Sequence, residues 1–595
     1  MLRVVLLLAL VLCHIAVRAA PDSPRNQVAF YVETYGRVTP SEDPAVGWAY
    51  QVFERVVAVA DKNSKRLPKL VVVRNKRGPW AIALPDGHIV LSSEAVALCQ
   101  RQASATEAAA RLAFVLGHEL AHLAHDDFWH QEVHGFLAAA PETRDLARAL
   151  EARRDATGKE LAADDAGFIY AALAGYPVEA LLRDQGAQPD FLHLWTHQLQ
   201  PGPASGHPSP DKRAMLLRQR LEEVRGQLGF FDFGVRLSHF DRCADGVYFL
   251  RAFQKTFPGR EVLNNIGFCH LRMALDEMEP ERAHFYWMPL VLDAETRAEA
   301  LVQRGGPAPK TLRQVATGEA KGQLEEAVDY LRQATEADRS YVPARINLAA
   351  TYLYLGQPHQ ARAVLAEARK LVPDDAALQG LEALAIYEQS DVDLDLWPTA
   401  VAKLEQLAAH SDAPDTVVFN LARLLAVRPR PAEARVHWNR LAKSASMLPA
   451  PIRVVVCREQ SSMATKACAQ ESVRPDRAPP WTWPFSSNGR EGRAPRVAEE
   501  LGSAWRVREF DWQKTKLHGR IFWRADGSAE LLELAGFVQM QALKGEDLGK
   551  AAELEGYCAR PLRRRALAQG VVWSCDQWAA LVRDDIVREV WWAAR

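Results

Sequence analysis

His118-Glu119-Leu120-Ala121-His122 has the residue types and the spacing to do chemistry. On a helix, positions four apart lie one above the other, so both imidazoles can reach one metal ion. Glu119, a step round the helix, can reach a water on that ion. Zinc accepts these ligands and lowers the pKa of its water to about 7. A carboxylate beside that water can take its proton and pass it to a leaving amine. The competing reading is two core histidines on a buried helix.

Residues 112–125 read as that helix. Ser104-Ala105-Thr106-Glu107 is a capping box, and Leu112, Val115 and Leu116 form an apolar stripe at helical spacing. Such a zinc site needs a third protein ligand. An H-E-x-x-H-x-x-G-x-x-H pattern would supply one, but His125 stands at the glycine position and Phe128 at the third histidine. The other route is a carboxylate from a later helix. Residues 157–174 read as a helix stopped by Gly175 and Pro177, with Glu160 and Asp164 on one face. Glu160 is the expected metal ligand and Asp164 the group that holds a ligand histidine by its other ring nitrogen. Asp165, Asp155 and Glu151 are the competing carboxylates.

Around these helices, residues 43–61 read as an amphipathic helix and residues 70–73 and 80–84 as short strands. Pro85-Asp86-Gly87 is turn chemistry leading to a return strand at 88–91. Residues 80–84 are the candidate edge strand for pairing with an extended substrate. Further on, Gly206-His207-Pro208-Ser209-Pro210-Asp211-Lys212-Arg213 forms a proline-stiffened loop leading into a helix.

PDGHIVLS, HELAH, ELAAD and GHPSPDKR follow one another in an order and spacing that resemble the zinc metallopeptidase family of the CAAX prenyl protease and HtpX. Within it the chain looks most like the exported, repeat-bearing beta-barrel assembly-enhancing (BepA-like) branch. The resemblance covers about residues 80–215. It implies one zinc ion per subunit on His118, His122 and Glu160, with Glu119 as general base and Asp164 as orienting carboxylate. It also implies that His207 lies over the metal, either stabilising an oxyanion or closing the site, with Arg213 supporting the loop. Gly206 departs from the small hydroxyl residue more usual there, and His125, His130 and His134 have no family role. The membrane helices of the prenyl protease and HtpX have no counterpart.

A chain of 595 residues implies about three or four domains. Its formal charge of −1 argues against a general binder of nucleic acid or acidic membranes. Residues 1–20 read as a cleaved signal peptide: Arg3 precedes an apolar run at 4–17, and Val17-Arg18-Ala19 offers small residues for cleavage. Leu12 before Cys13 argues against a lipid anchor. The expectation is export, most simply to the periplasm, with no transmembrane span after cleavage. Spacing suggests disulfides between Cys457 and Cys468 and between Cys558 and Cys575, a weaker pair of Cys243 with Cys269, and a buried Cys99 thiol.

Residues 240–450 carry a repeat. Gly322, Ala327 and Ala334 recur 34 residues on as Gly356, Ala361 and Ala368, which is the tetratricopeptide (TPR) period. Asn347-Leu348-Ala349 returns as Asn420-Leu421-Ala422, and residues 265–275 resemble an earlier first helix followed by a long insertion. Stacked pairs of this kind present a groove for peptides or proteins. Residues 451–494 read as a linker, and 495–595 as a small α+β domain of unreadable role, whose basic run at 560–565 reads as a solvated face.

The expected architecture is multidomain and mainly α. It comprises a gluzincin-type α+β zinc peptidase domain (21–235), a TPR α-solenoid and the small C-terminal domain. Two functions fit: a periplasmic zinc endopeptidase acting on extended or misfolded envelope proteins, or an envelope chaperone or adaptor with latent proteolysis. The partners are protein or peptide substrates and, by resemblance, outer-membrane assembly machinery reached through the TPR groove, with no nucleic acid.

Overall fold

The computed structural model describes residues 27–61, 67–75, 78–125, 156–182, 190–198, 210–292, 318–390, 394–428, 430–443, 448–459, 480–481, 483, 504–512, 517–535, 537–545, 547–558, 563–567, 570–575 and 578–593. The protein is mainly helical with a C-terminal antiparallel sheet. It divides into two compact units, Met1–Val224 and Arg225–Arg595.

The first unit contains α1 (Gln27–Tyr35), α2 (Pro44–Val59), β1 (Lys69–Val73), β2 (Ala81–Ala83), β3 (His88–Ser92), α3 (Ser93–Gln100), α4 (Ala105–Ala124), α5 (Ala156–Leu173) and α6 (Phe191–Gln198). The first half of α7 (Pro210–His239) follows; the unit boundary falls inside this helix, upstream of residue 235, where the peptidase domain is expected to end. Asp43 caps α2 by accepting from the Ala45 N–H. The Ser104 hydroxyl accepts from the Glu107 N–H and the Glu107 carboxylate from the Ser104 N–H, so the capping box forms. Strand order is β1-β3-β2, with β3 parallel to β1 and antiparallel to β2. Gly87, at φ +89°, makes the turn between β2 and β3. The arm expected at the edge, β2, therefore lies at one edge of the sheet, and it packs beside α4.

In the second unit, α8 (Cys243–Gln254), α9 (Arg260–Asp276) and α10 (Pro280–Ala283) precede the helices α11 (Gly318–Ala337), α12 (Val342–Tyr354), α13 (Pro358–Leu371), α14 (Ala376–Glu388), α15 (Trp397–Ala408), α16 (Asp415–Val427), α17 (Pro431–Ala442) and α18 (Ala450–Glu459). They pack as successive pairs, and α9 pairs with α11 across the insertion. Small side chains at the repeat positions (Ala327, Ala334, Ala361, Ala368) are buried between paired helices. Residues 283–292 run across α9, α12, α14 and α16, bonded to their side chains.

The C-terminal part differs from the α+β expectation. Strands β4 (Trp505–Trp512), β5 (Leu517–Arg524), β6 (Ala529–Leu534), β7 (Phe537–Lys544), β8 (Arg563–Leu567), β9 (Gly570–Ser574), β10 (Trp578–Arg583) and β11 (Ile586–Ala593) form one antiparallel sheet. Its order is β4-β5-β6-β7-β11-β10-β9-β8, and a short 3-10 turn at Ala551–Tyr557 is its helical content among the described residues. Tight turns at Ala535 and at Asp584-Asp585, all with positive φ, let consecutive strands pair directly, which leaves no room for crossover helices. Glu530 on β6 is buried, and accepts from Arg225 at 2.7 Å, Arg236 at 2.6 Å and Lys544 at 3.1 Å. Arg236 also donates to Glu589 on β11.

Cys558 and Cys575 lie at disulfide distance. Cys457 is disulfide-bonded, and Cys468 lies outside the described residues. Cys243 and Cys269 are free thiols, contrary to the weaker expected pair: α8 and α9 bring them into hydrogen-bond contact, and the Ser238 hydroxyl shares Cys269 at 3.0 Å. Cys99 is free and buried, as expected.

Candidate metal centre

Helix α4 is buried almost from end to end, which places His118 and His122 in the interior of the first unit. Their Nε2 atoms stand 3.1 Å apart, with the rings nearly perpendicular. Helix α5 brings the Glu160 carboxylate to them, one oxygen 3.7 Å from His118 Nε2 and the other 3.5 Å from His122 Nε2. Ligand atoms about 2.0–2.2 Å from a tetrahedral zinc stand about 3.3–3.6 Å apart. The three separations bracket that edge length, so this donor set fits the ion.

Asp164, one turn beyond Glu160, lies 2.8 Å from His118 Nδ1. Burial opposes a charge on His118, but the Asp164 bond and the charges of Asp164, Glu160 and Glu119 outweigh it and lift the imidazole to about 9. A site this negative favours a cation. Glu119 is itself buried and close enough for its charge to act on His118. Of the competing carboxylates, Asp165 is bound by Arg220, whose Nε donates at 2.9 Å, while Glu151 and Asp155 lie outside the described residues.

Two glycines that sequence reasoning missed set the spacing. A Cβ on Gly117 would stand 2.9 Å from the Gly167 carbonyl oxygen, and one on Gly167 would stand 3.0 Å from the His118 nitrogen. The backbones of α4 and α5 therefore touch beside His118. The available signal was glycine inside two helical patterns, where it costs about 1 kcal/mol relative to alanine unless packing requires it.

Gly206 and His207 lie outside the described residues, as do His130 and His134. Arg213 falls on the first turn of α7, but its side chain is likewise outside the description. His125 is not in the cluster: it ends α4, with Nδ1 2.8 Å from the Ala121 carbonyl. Asp211 lies 3.0 Å from His197 and 3.7 Å from His193, an exposed grouping separate from the first.

Residues 46–221 match Peptidase family M48. That stretch contains His118, Glu119, His122, Glu160 and Asp164, and the match implies metallopeptidase chemistry. Residues 320–385 match the tetratricopeptide repeat, which implies protein–protein interaction. No curated protein matches the chain. Among solved structures, a thermophilic TPR protein of Thermus thermophilus is 17% identical, with a TM-score of 0.27, over 39% of this chain and 98% of its own. Among the described residues no helix is long and apolar enough to cross a membrane.

Proposed function

We propose that this protein is a zinc-dependent endopeptidase of the bacterial periplasm, acting on extended or misfolded segments of envelope proteins. The observation that carries the reading is the convergence of His118, His122 and Glu160, with Asp164 bonded behind His118. A zinc ion held by these donors supplies Lewis acidity toward a peptide carbonyl and brings the pKa of water to about 7.

The chain's own groups do the rest. Asp164 accepts the Nδ1 proton of His118, which leaves Nε2 unprotonated on the side shared with Glu160 and His122, where its lone pair would meet the ion. Glu119 takes a proton from the attacking water and returns it to the leaving amine. Strand β2, at the sheet edge, pairs with an extended substrate and fixes it without reading its side chains. His207 helps hold the oxyanion, with Arg213 supporting its loop. The segment at 1–20 directs export, and the Cys558–Cys575 pair suits an oxidising compartment. The TPR region recruits the client or an outer-membrane assembly partner.

A quenched casein substrate tests the chemistry. Cleavage is expected to stop with a zinc chelator and to return on adding zinc. Cleavage that persists through chelation would remove the metallopeptidase reading.

A further inference from the structure

Two asparagines of the repeat make the same pair of bonds. Asn420 on α16 accepts from the Trp287 N–H at 2.9 Å and donates to the Trp287 carbonyl at 3.0 Å. Asn347 on α12 accepts from the Val291 N–H at 2.8 Å and donates to the Val291 carbonyl at 2.5 Å. Each amide thus takes both backbone groups of one residue, a contact blind to the side chain. Around them, Tyr354 donates to the Ala283 carbonyl at 2.9 Å, Arg423 to the Phe285 carbonyl at 3.1 Å and Asn264 to the Val291 carbonyl at 3.2 Å.

We propose that residues 283–292 are a tethered ligand seated in a backbone-reading site of the repeat, and that an unfolded client segment rich in aromatic and aliphatic side chains gains the site by exchanging with it. The proposal rests on the reading of the repeat as the recruiting module.

No helix or strand includes residues 284–291, and side chains from α9, α12 and α16 satisfy their backbone, as they would for a bound peptide. The segment turns at 284–286, where the Phe285 N–H donates to the Arg282 carbonyl, and again where the Leu290 N–H donates to the Met288 carbonyl. Its own side chains show what the pockets accept. Phe285, Tyr286 and Leu292 are at most 1% exposed, and the Tyr286 hydroxyl donates to Glu388 on α14 at 2.5 Å. A folded protein hides such a stretch and an unfolded one exposes it. The tethered segment therefore acts as a threshold: apparent client affinity is the intrinsic affinity reduced by the fraction of repeats whose site is open.

The test uses the full chain carrying Glu119→Gln, to prevent cleavage, and reduced, alkylated lactalbumin as a permanently unfolded probe. Saturating probe is expected to speed hydrogen exchange at the Trp287 and Val291 amides by about tenfold or more. Adding Tyr286→Phe removes a bond to a buried carboxylate and leaves the asparagines intact. It is expected to tighten probe binding by roughly tenfold or more. Probe that binds while both amides stay protected, with Tyr286→Phe binding no tighter, would overturn the exchange and leave recruitment standing. No binding by either protein would overturn both.

Discussion

Asp164 lies 2.8 Å from Nδ1 of His118, on the side of the ring away from the nitrogen that faces Glu160 and His122. Removing its charge leaves the ligands in place but loosens the ring. Asp164→Asn is expected to fold and to bind zinc about 10–100-fold more weakly, read by competition with a fluorescent chelator. Affinity equal to the parent's would deny Asp164 this role.

Glu119, between the two histidines on α4, has no ligand duty in the proposed mechanism. Glu119→Gln is expected to keep one equivalent of tightly bound zinc and to lose about 10²–10⁴-fold in casein cleavage. Metal analysis beside the rate assay separates this outcome from loss of the ion. In a deletion strain, full rescue by this variant would favour an adaptor over a protease.

The contact between Gly117 and Gly167 leaves no space for a methyl group. Gly167→Ala is expected to cost about 1–3 kcal/mol by overpacking and to weaken zinc binding together with stability. Thermal melts with and without zinc would show it: the metal-induced rise should shrink. An unchanged rise would mean that the helices can part without disturbing the donors.

Burial opposes the charge on Glu530, but Lys544, Arg236 and Arg225 outweigh it and hold the carboxyl well below its ordinary range. A carboxylate depressed on folding stabilises the native state above its unfolded pKa of about 4.3, and that contribution is lost as pH falls through the folded value. Glu530→Gln is expected to cost about 3–5 kcal/mol near neutral pH, because it strands buried cations. The deficit should narrow in acid. Urea melts across that range give the slope, and a pH-independent deficit would contradict it.

The candidate site was legible because its geometry is local. H-E-x-x-H and Glu160/Asp164 are spacings of four on two helices, and each helix announced its ends through Ser104 or Gly175. What joins the helices was not: the need for Gly117 is visible only once Gly167 lies against it. Residues 283–292 were hidden for the same reason, since their partners lie on α9, α12, α14 and α16, far apart in sequence. Inside what read as an insertion, they carry no periodicity. In the tail, the strand-like runs at 519–523, 529–534 and 571–573 were visible, but their pairing was not. The contact of Cys243 with Cys269 was suggested by spacing, which cannot tell a bond from a neighbour.

The order β4-β5-β6-β7-β11-β10-β9-β8 reads as a palindrome about the seam between β7 and β11. Each four-strand half lends the other its inner border, so the joined sheet shows two rims where separate halves would show four. Severing the polypeptide before β8 would leave β7 a bare template along Met540–Lys544, now matched with Ala593–Glu589. Self-association of such a fragment, rather than simple unfolding, is the expected penalty.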